Sequence, residues 1–257
     1  MAQDFQIPSG EKKEFISGLY SVPTENTTPE HDKILIMMLH GFPGVDKKAH
    51  QDLFGDLEFL FTSSGFHTLR FDFRCCGSSE GLQEDFTLKK AMVDIDTVLD
   101  WAQKQGFEEI IYVAEGLGAA ICLPKINDQT KLAFFFWPIL DLPGFAQEKF
   151  SKLDLSTDTK HTAHIHFNNS RVGLPLIEEM KTAKLGKNME DIKIPLLVQY
   201  GSDDDMVADN QIEYLRNNLK APRMDITSYQ NGKHGLTDER ERKMIFYHIG
   251  QFLTKYT

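Results

Sequence analysis

Glu109-Ile-Ile-Tyr-Val-Ala-Glu-Gly-Leu-Gly-Ala-Ala120 reads as a buried strand that passes through one tight turn directly into a helix of small residues. Such a turn holds a single residue at strained dihedrals, and small residues two positions before and after it let neighbouring backbone pass closely. Ala114 and Gly118 supply the small positions, and Gly116 lies between them. A turn suited to displaying a nucleophile therefore carries no side chain.

On either side of this stretch, strands alternate with helices. Residues 3–7 and 12–22 pattern as an antiparallel hairpin turning at Pro8-Ser9-Gly10, and the continuous apolar run Lys33 to Leu39 reads as a strand buried on both faces. Helical spacing occupies about 48–63 and is stopped by Gly65; His67 to Phe73 is the next strand. Leu88, Ala91, Met92, Ile95, Val98, Leu99 and Ala102 recur at the interval of a helix with one buried face, ended by Gly106. Leu132 to Trp137 is again strand-like. From Pro138 to about Lys193 the rhythm is lost, with helices expected near 144–151 and 173–184. Pro195 to Tyr200 restores the sheet, followed by a helix over 210–219, a strand over 223–229 and a final helix over about 236–255. Alternation of this kind predicts an α/β fold with a mostly parallel, doubly wound sheet.

Composition narrows the function classes. The 257 residues are 41% hydrophobic and 26% charged, enough for a full-sized core, and the formal charge of -10 argues against a nucleic-acid or anionic-membrane surface. Apolar runs such as Ile34 to Leu39 are too short to span a bilayer, and the first ten residues lack the pattern of a secretory signal. Cys75, Cys76 and Cys122 have no metal-site spacing and suggest a reducing, cytoplasmic setting. His164 and His166 fall on one side of a strand, but no carboxylate or cysteine nearby completes a metal site, so neither a metal nor a cofactor is expected.

Chemistry-bearing residues cluster at strand ends. In His40-Gly-Phe-Pro-Gly44 the glycines allow a sharp loop that can aim the Phe42 N–H at a developing oxyanion, whereas Pro43 has no N–H to offer. Gly77-Ser-Ser-Glu-Gly81 is the literal Gly-x-Ser-x-Gly of the chain. An elbow requires a helix to begin at once beyond its nucleophile, and here residues 82–86 intervene, so Ser79 reads as a loop serine, with a nucleophilic role as the alternative.

His40-Gly41, Asp72-x-Arg74-x-x-Gly77-x-Ser79, the turn at 114–118, Gly201-Ser-Asp-Asp204-Asp-Met-Val207 and Gly232-Lys-His234-Gly occur in an order and at intervals that resemble the α/β-hydrolase superfamily. The likeness runs from about residue 30 onward, the 138–193 stretch apart, and is nearest to small serine esterases of the cinnamoyl/feruloyl esterase and acylglycerol lipase type. It implies one domain over 1–257 with an N-terminal antiparallel hairpin, and a lid inserted at 138–193 after the sixth strand. It also implies Asp204 as the acid, His234 as the base, and the N–H groups of Phe42 and Leu117 as the oxyanion hole. A carboxylate would then hold the imidazole tautomer that accepts a proton at neutral pH. In the insert, Phe145, Phe150 and Phe167 are candidates to line an apolar acyl pocket, or else to form the insert's own small core.

Two departures from the family pattern matter. Gly116 occupies the nucleophile position and cannot form an acyl-enzyme, and Cys75 stands where the family has glycine. Glu115 would need the elbow to slip by one residue, placing Val113 and Leu117 at the small positions, which sterics oppose. Cys75 and Cys76 sit at a strand end and could offer a thiol, while Cys122 reads as a small core residue. Three readings share these residues: a protein of ester-hydrolase ancestry that binds a small acyl or ester-like molecule with little turnover; an active hydrolase using water or another nucleophile such as Ser79; and an engineered variant in which Gly116 replaces a serine.

Overall fold

The computed structural model describes every residue except 1, 10–13, 25–26, 50–51, 157–161, 169, 191 and 208. Ala2–Pro8 (β1) and Phe15–Ser21 (β2) form the antiparallel pair that the alternation predicts; Gly10 of the expected turn lies outside the described residues. Ile34–Leu39 (β3) is buried at every position. Leu53–Ser63 (α1) begins five residues later than the helical spacing suggests, because Asp52 has φ 55° and a left-handed residue cannot continue a helix. His67–Phe71 (β4) pairs parallel with β3 and antiparallel with β2.

Leu88–Gln105 (α2) starts where the Thr87 hydroxyl accepts the Lys90 N–H, and stops at Gly106, whose φ of 95° costs a glycine nothing. Glu109–Glu115 (β5) leads through Gly116 into Leu117–Cys122 (α3), and Thr130–Phe136 (β6) follows. Between β6 and the next sheet strand come Leu142–Phe150 (α4), the hairpin of His164–Phe167 (β7) with Ser170–Gly173 (β8), Leu174–Thr182 (α5) and Gly186–Glu190 (α6). Leu196–Gly201 (β9), Asp209–Asn218 (α7), Met224–Tyr229 (β10) and Glu239–Tyr256 (α8) complete the chain. The last helix starts at 239 and not 236, since Leu236 has φ 44° and Asp238 forms a capping box with Glu241.

The main sheet runs β1-β2-β4-β3-β5-β6-β9-β10, parallel from β4 to β10 and antiparallel at its start. Helices flank it, α2 packed with α3, and α1 joined to α8 through Arg242 and Asp56 at 3.3 Å. β3, β5, β6 and β9 are almost wholly buried, as strands covered on both faces must be, and this accounts for their unbroken apolar sequence. From β3 the chain crosses to β4 on one side, while β5 takes the other side. The order of strands therefore reverses between β3 and β5, and a crevice opens at their carboxyl ends.

Candidate functional site

Five loops meet in that crevice, those leaving the carboxyl ends of β3, β5, β6, β9 and β10. At the end of β5, Gly116 holds φ 50° and ψ -118°, a conformation that L-residues adopt only under strain. Its N–H donates to Phe136 O at 3.0 Å and its carbonyl accepts the Ile139 N–H at 3.0 Å, so the turn is tied to the end of β6. Gly118 faces the end of β3 so closely that a Cβ there would lie 2.6 Å from His40 O and 2.7 Å from Leu39 O. This close backbone approach is the physical reason for a small residue at that position. A Cβ on Gly116, by contrast, meets nothing nearer than Ile139 Cδ1 at 3.8 Å, an ordinary contact.

His234 and Asp204 come together from the loops after β10 and β9. The His234 Nδ1–H donates to the Asp204 carboxylate at 2.9 Å, because a carboxylate can only accept; in the neutral ring this leaves Nε2 as the basic nitrogen. Asp204 is buried, and its Oδ1 also accepts the Met206 N–H at 2.9 Å and the Val207 N–H at 2.8 Å. Three donors thus fix the direction of the carboxylate. Trp137 leans on the imidazole, ring centroids 5.5 Å apart, and itself holds φ 35°, a second strained residue at this point of the molecule.

A cavity of about 140 Å³ lies among these groups, lined by Phe42, Gly116, Leu117, Trp137, Phe167 and His234 with several neighbours. Phe145 and Phe150 are not part of its lining: both are buried in ring contacts with Phe42 and Phe167, as backing to the wall. Sequence reasoning considered Glu115 only as a nucleophile in a slipped elbow and so missed its place in the cavity wall. The carboxylate borders the cavity from its regular strand position, with no slip of the elbow, and its Oε1 accepts the Gly41 N–H at 2.9 Å. The signal was present, a carboxylate closing the apolar run from Ile110 to Ala114, but its direction depends on where the loop after β3 passes. His40 is fully buried, its Nε2 accepting the Phe73 N–H at 3.0 Å, and burial lowers its pKa.

Ser79 stands elsewhere. Its hydroxyl donates to Asp72 O at 2.6 Å and accepts the Ser17 N–H at 2.8 Å, pinning the 72–81 loop to β2, and it does not border the cavity. Cys75 keeps the left-handed backbone, φ 71°, that a glycine would adopt at that point. Burial pushes its thiol up to about 11 and that of Cys76 well above the ordinary range. Roughly one Cys75 thiol in a thousand is then ionised at pH 8. Iodoacetamide at pH 8 is expected to leave all three cysteines of the folded protein unmodified over an hour, as read by intact mass; rapid uptake at Cys75 would contradict this burial.

His164 is buried and His166 exposed, with ring centroids 5.1 Å apart; His161 lies outside the described residues. Among the described residues no group of three His, Cys, Asp or Glu side chains is placed to hold a metal ion, and no helix is long and apolar enough to cross a membrane.

With the geometry established, likenesses to known proteins can be placed on it. A family model described as acyl transferase matches residues 9–140. An acyl transferase of Shewanella hanedai is 23% identical over 247 residues, spanning 91% of this chain and 76% of that protein. One from Aliivibrio fischeri strain MJ11 is 30% identical over 115 residues, 44% of this chain and 35% of its own length. Among solved structures, ferulic acid-bound Est1E from Butyrivibrio proteoclasticus superposes with a TM-score of 0.81 at 19% identity, covering 98% of each chain. The mouse alpha/beta hydrolase domain-containing protein 10 gives 0.77 at 16% identity, covering 100% of both. These superpositions, with the strand order above, establish the α/β-hydrolase fold.

Proposed function

We propose, for a chain that belongs to the acyl transferase family, that the cavity at the end of β5 binds a small acyl or ester-like molecule and turns it over slowly or not at all. The observation that carries this reading is Gly116: it sits at the elbow with room above it for a side chain, next to a hydrogen-bonded His234–Asp204 pair, yet it has no group to form an acyl-enzyme. In this reading the N–H groups of Phe42 and Leu117 face the acyl oxygen. Residues 138–193 act as a lid on a single domain spanning 1–257. The acidic chain and its free, buried cysteines fit a cytoplasmic setting.

Residual turnover follows from the same residues. His234 Nε2 takes a proton from a water above Gly116 as the oxygen attacks the acyl carbon; the oxyanion is held by the two N–H groups; and its collapse expels the alcohol or thiol, which receives the proton back from His234. Without a covalent intermediate this route is slower by orders of magnitude. The hydrogen bonds that engage the Ser79 hydroxyl weigh against the second reading, an active hydrolase with Ser79 as nucleophile.

A fluorophosphonate probe tests the assignment. The unaltered chain is expected to take up no label, and Gly116→Ser to take up one equivalent mapped by peptide mass spectrometry to position 116. Label on Ser79 or a cysteine of the unaltered chain would overturn it.

A further inference from the structure

We propose that Phe150 and Phe167 set the size of the acyl group admitted here, restricting it to about one six-membered ring or six carbons. The proposal rests on the acyl-site reading above and specifies its substrate class.

Two cavities lie on opposite sides of this pair. The one at Gly116, about 140 Å³, has Phe167 in its wall. The other, about 330 Å³, lies within the insert; Phe150, Leu153, Leu155, Ile165, Leu174 and Ile177 give it apolar walls, Gln147, Ser151 and Lys181 also border it, and Leu153 and Leu155 are exposed. Phe150 and Phe167 meet edge to face, ring centroids 5.2 Å apart at 87°, and Phe42 touches both, at 6.1 and 6.0 Å. Phe145 backs the cluster, 5.8 Å from Phe150 and 6.4 Å from Phe167. The partition is thus made of interlocked aromatic rings from α4, β7 and the loop after β3.

Magnitudes decide what fits. An apolar cavity of about 150 Å³ holds benzene and little more, whereas ordinary ligand sites are roughly 300–1,000 Å³. The Gly116 cavity is therefore of one-ring size, and the larger apolar-walled space next to it lies beyond the phenylalanines. Removing either ring thins the partition between the two. Because each methylene buried tightens binding by about fourfold, a homologous series should climb with chain length and break where it meets the partition.

The test uses the chain as it is, which leaves esters intact long enough to measure binding, with methyl esters of butanoic, hexanoic, octanoic, decanoic and benzoic acids. Trp137, in the cavity wall, reports binding by its fluorescence, with Trp101→Phe to remove the other indole. Affinity is expected to rise about fourfold per methylene to the hexanoate, with benzoate similar, and to fall at least tenfold for the octanoate and decanoate. Phe167→Ala and Phe150→Ala should extend the rise to the decanoate. Phe167→Leu and Phe150→Leu, which thin the partition without emptying it, should extend it to the octanoate and serve if an alanine variant fails to fold. A rise continuing to the decanoate in the unaltered chain, or a break that no variant moves, overturns the size stop and leaves the acyl site standing. Binding of none of the esters overturns both.

Discussion

Gly116→Ser is expected to raise hydrolysis of short-chain aryl esters by about 10³-fold or more over the unaltered chain, and Gly116→Ser with His234→Ala to return it close to the starting rate. The size of the effect follows from how serine nucleophiles act. Their loss costs up to about 10⁶ in kcat because nucleophile and base work as a unit, and in the site proposed above His234 meets Asp204 at 2.9 Å and a Cβ at 116 would have its nearest neighbour 3.8 Å away. Glycine is comfortable at φ 50° and serine is not, so the same variant should lose roughly 1–3 kcal/mol of stability. Steady-state kinetics beside urea denaturation would read both together. Gain of turnover with loss of stability supports an elbow that lacks only its nucleophile; equal activity of the two proteins would move the chemistry away from Gly116.

Arg74→Ala carries the largest expected loss of stability, about 3–5 kcal/mol, because it strands a charge rather than trimming a surface contact. Asp94 of α2 is fully buried, and both of its oxygens are held by one residue: the Arg74 Nε at 2.5 Å and the Arg74 N–H at 2.8 Å. Arg74 also reaches Glu14 at 2.9 Å. Burial raises the pKa of Asp94 above its ordinary value even with the guanidinium and the Arg74 amide pulling it down, and deleting the side chain raises it further. A carboxyl whose folded pKa lies above its unfolded one binds more protons in the native state, so its charged form costs stability as pH rises through that window. The deficit of Arg74→Ala should therefore be larger at pH 8 than at pH 5. A deficit that is constant with pH, or below 1 kcal/mol, would show that Asp94 is not the buried charge that the pair neutralises.

The 72–81 loop carries the literal Gly-x-Ser-x-Gly of the chain, and its contacts are structural. Asp72, Gly77 and Ser79 are engaged with one another: Asp72 accepts from Lys47 and from the Ser78 N–H at 2.7 Å, its carbonyl accepts the Ser79 hydroxyl at 2.6 Å, and a Cβ on Gly77 would lie 2.3 Å from its carboxylate, while Arg74 turns to Asp94. A motif built for structure and a motif built for chemistry have the same appearance along a chain. The two are told apart only by where the side chains end.

Strand and helix assignments were legible from periodicity alone, since burial on both faces forces unbroken apolar runs in β3, β5, β6 and β9, and one-sided burial forces the spacing of α2. The elbow was legible for a related reason: close packing against β3 excludes all but the smallest residues, and that exclusion is written in Gly118. Helix starts were less so, because Asp52 and Leu236 take left-handed conformations that composition does not announce. What tertiary structure alone decided is direction and volume. The 2.9 Å contact of His234 with Asp204, a pair the resemblance had implied, forms only where the loops after β9 and β10 meet, Glu115 reaches the cavity only through the course of the loop after β3, and Phe150 backs the wall of the Gly116 cavity instead of lining it because three other rings meet it there. Periodicity is a property of neighbours along the chain and survives in the sequence; cavities and partners are made by segments that meet only when the sheet closes.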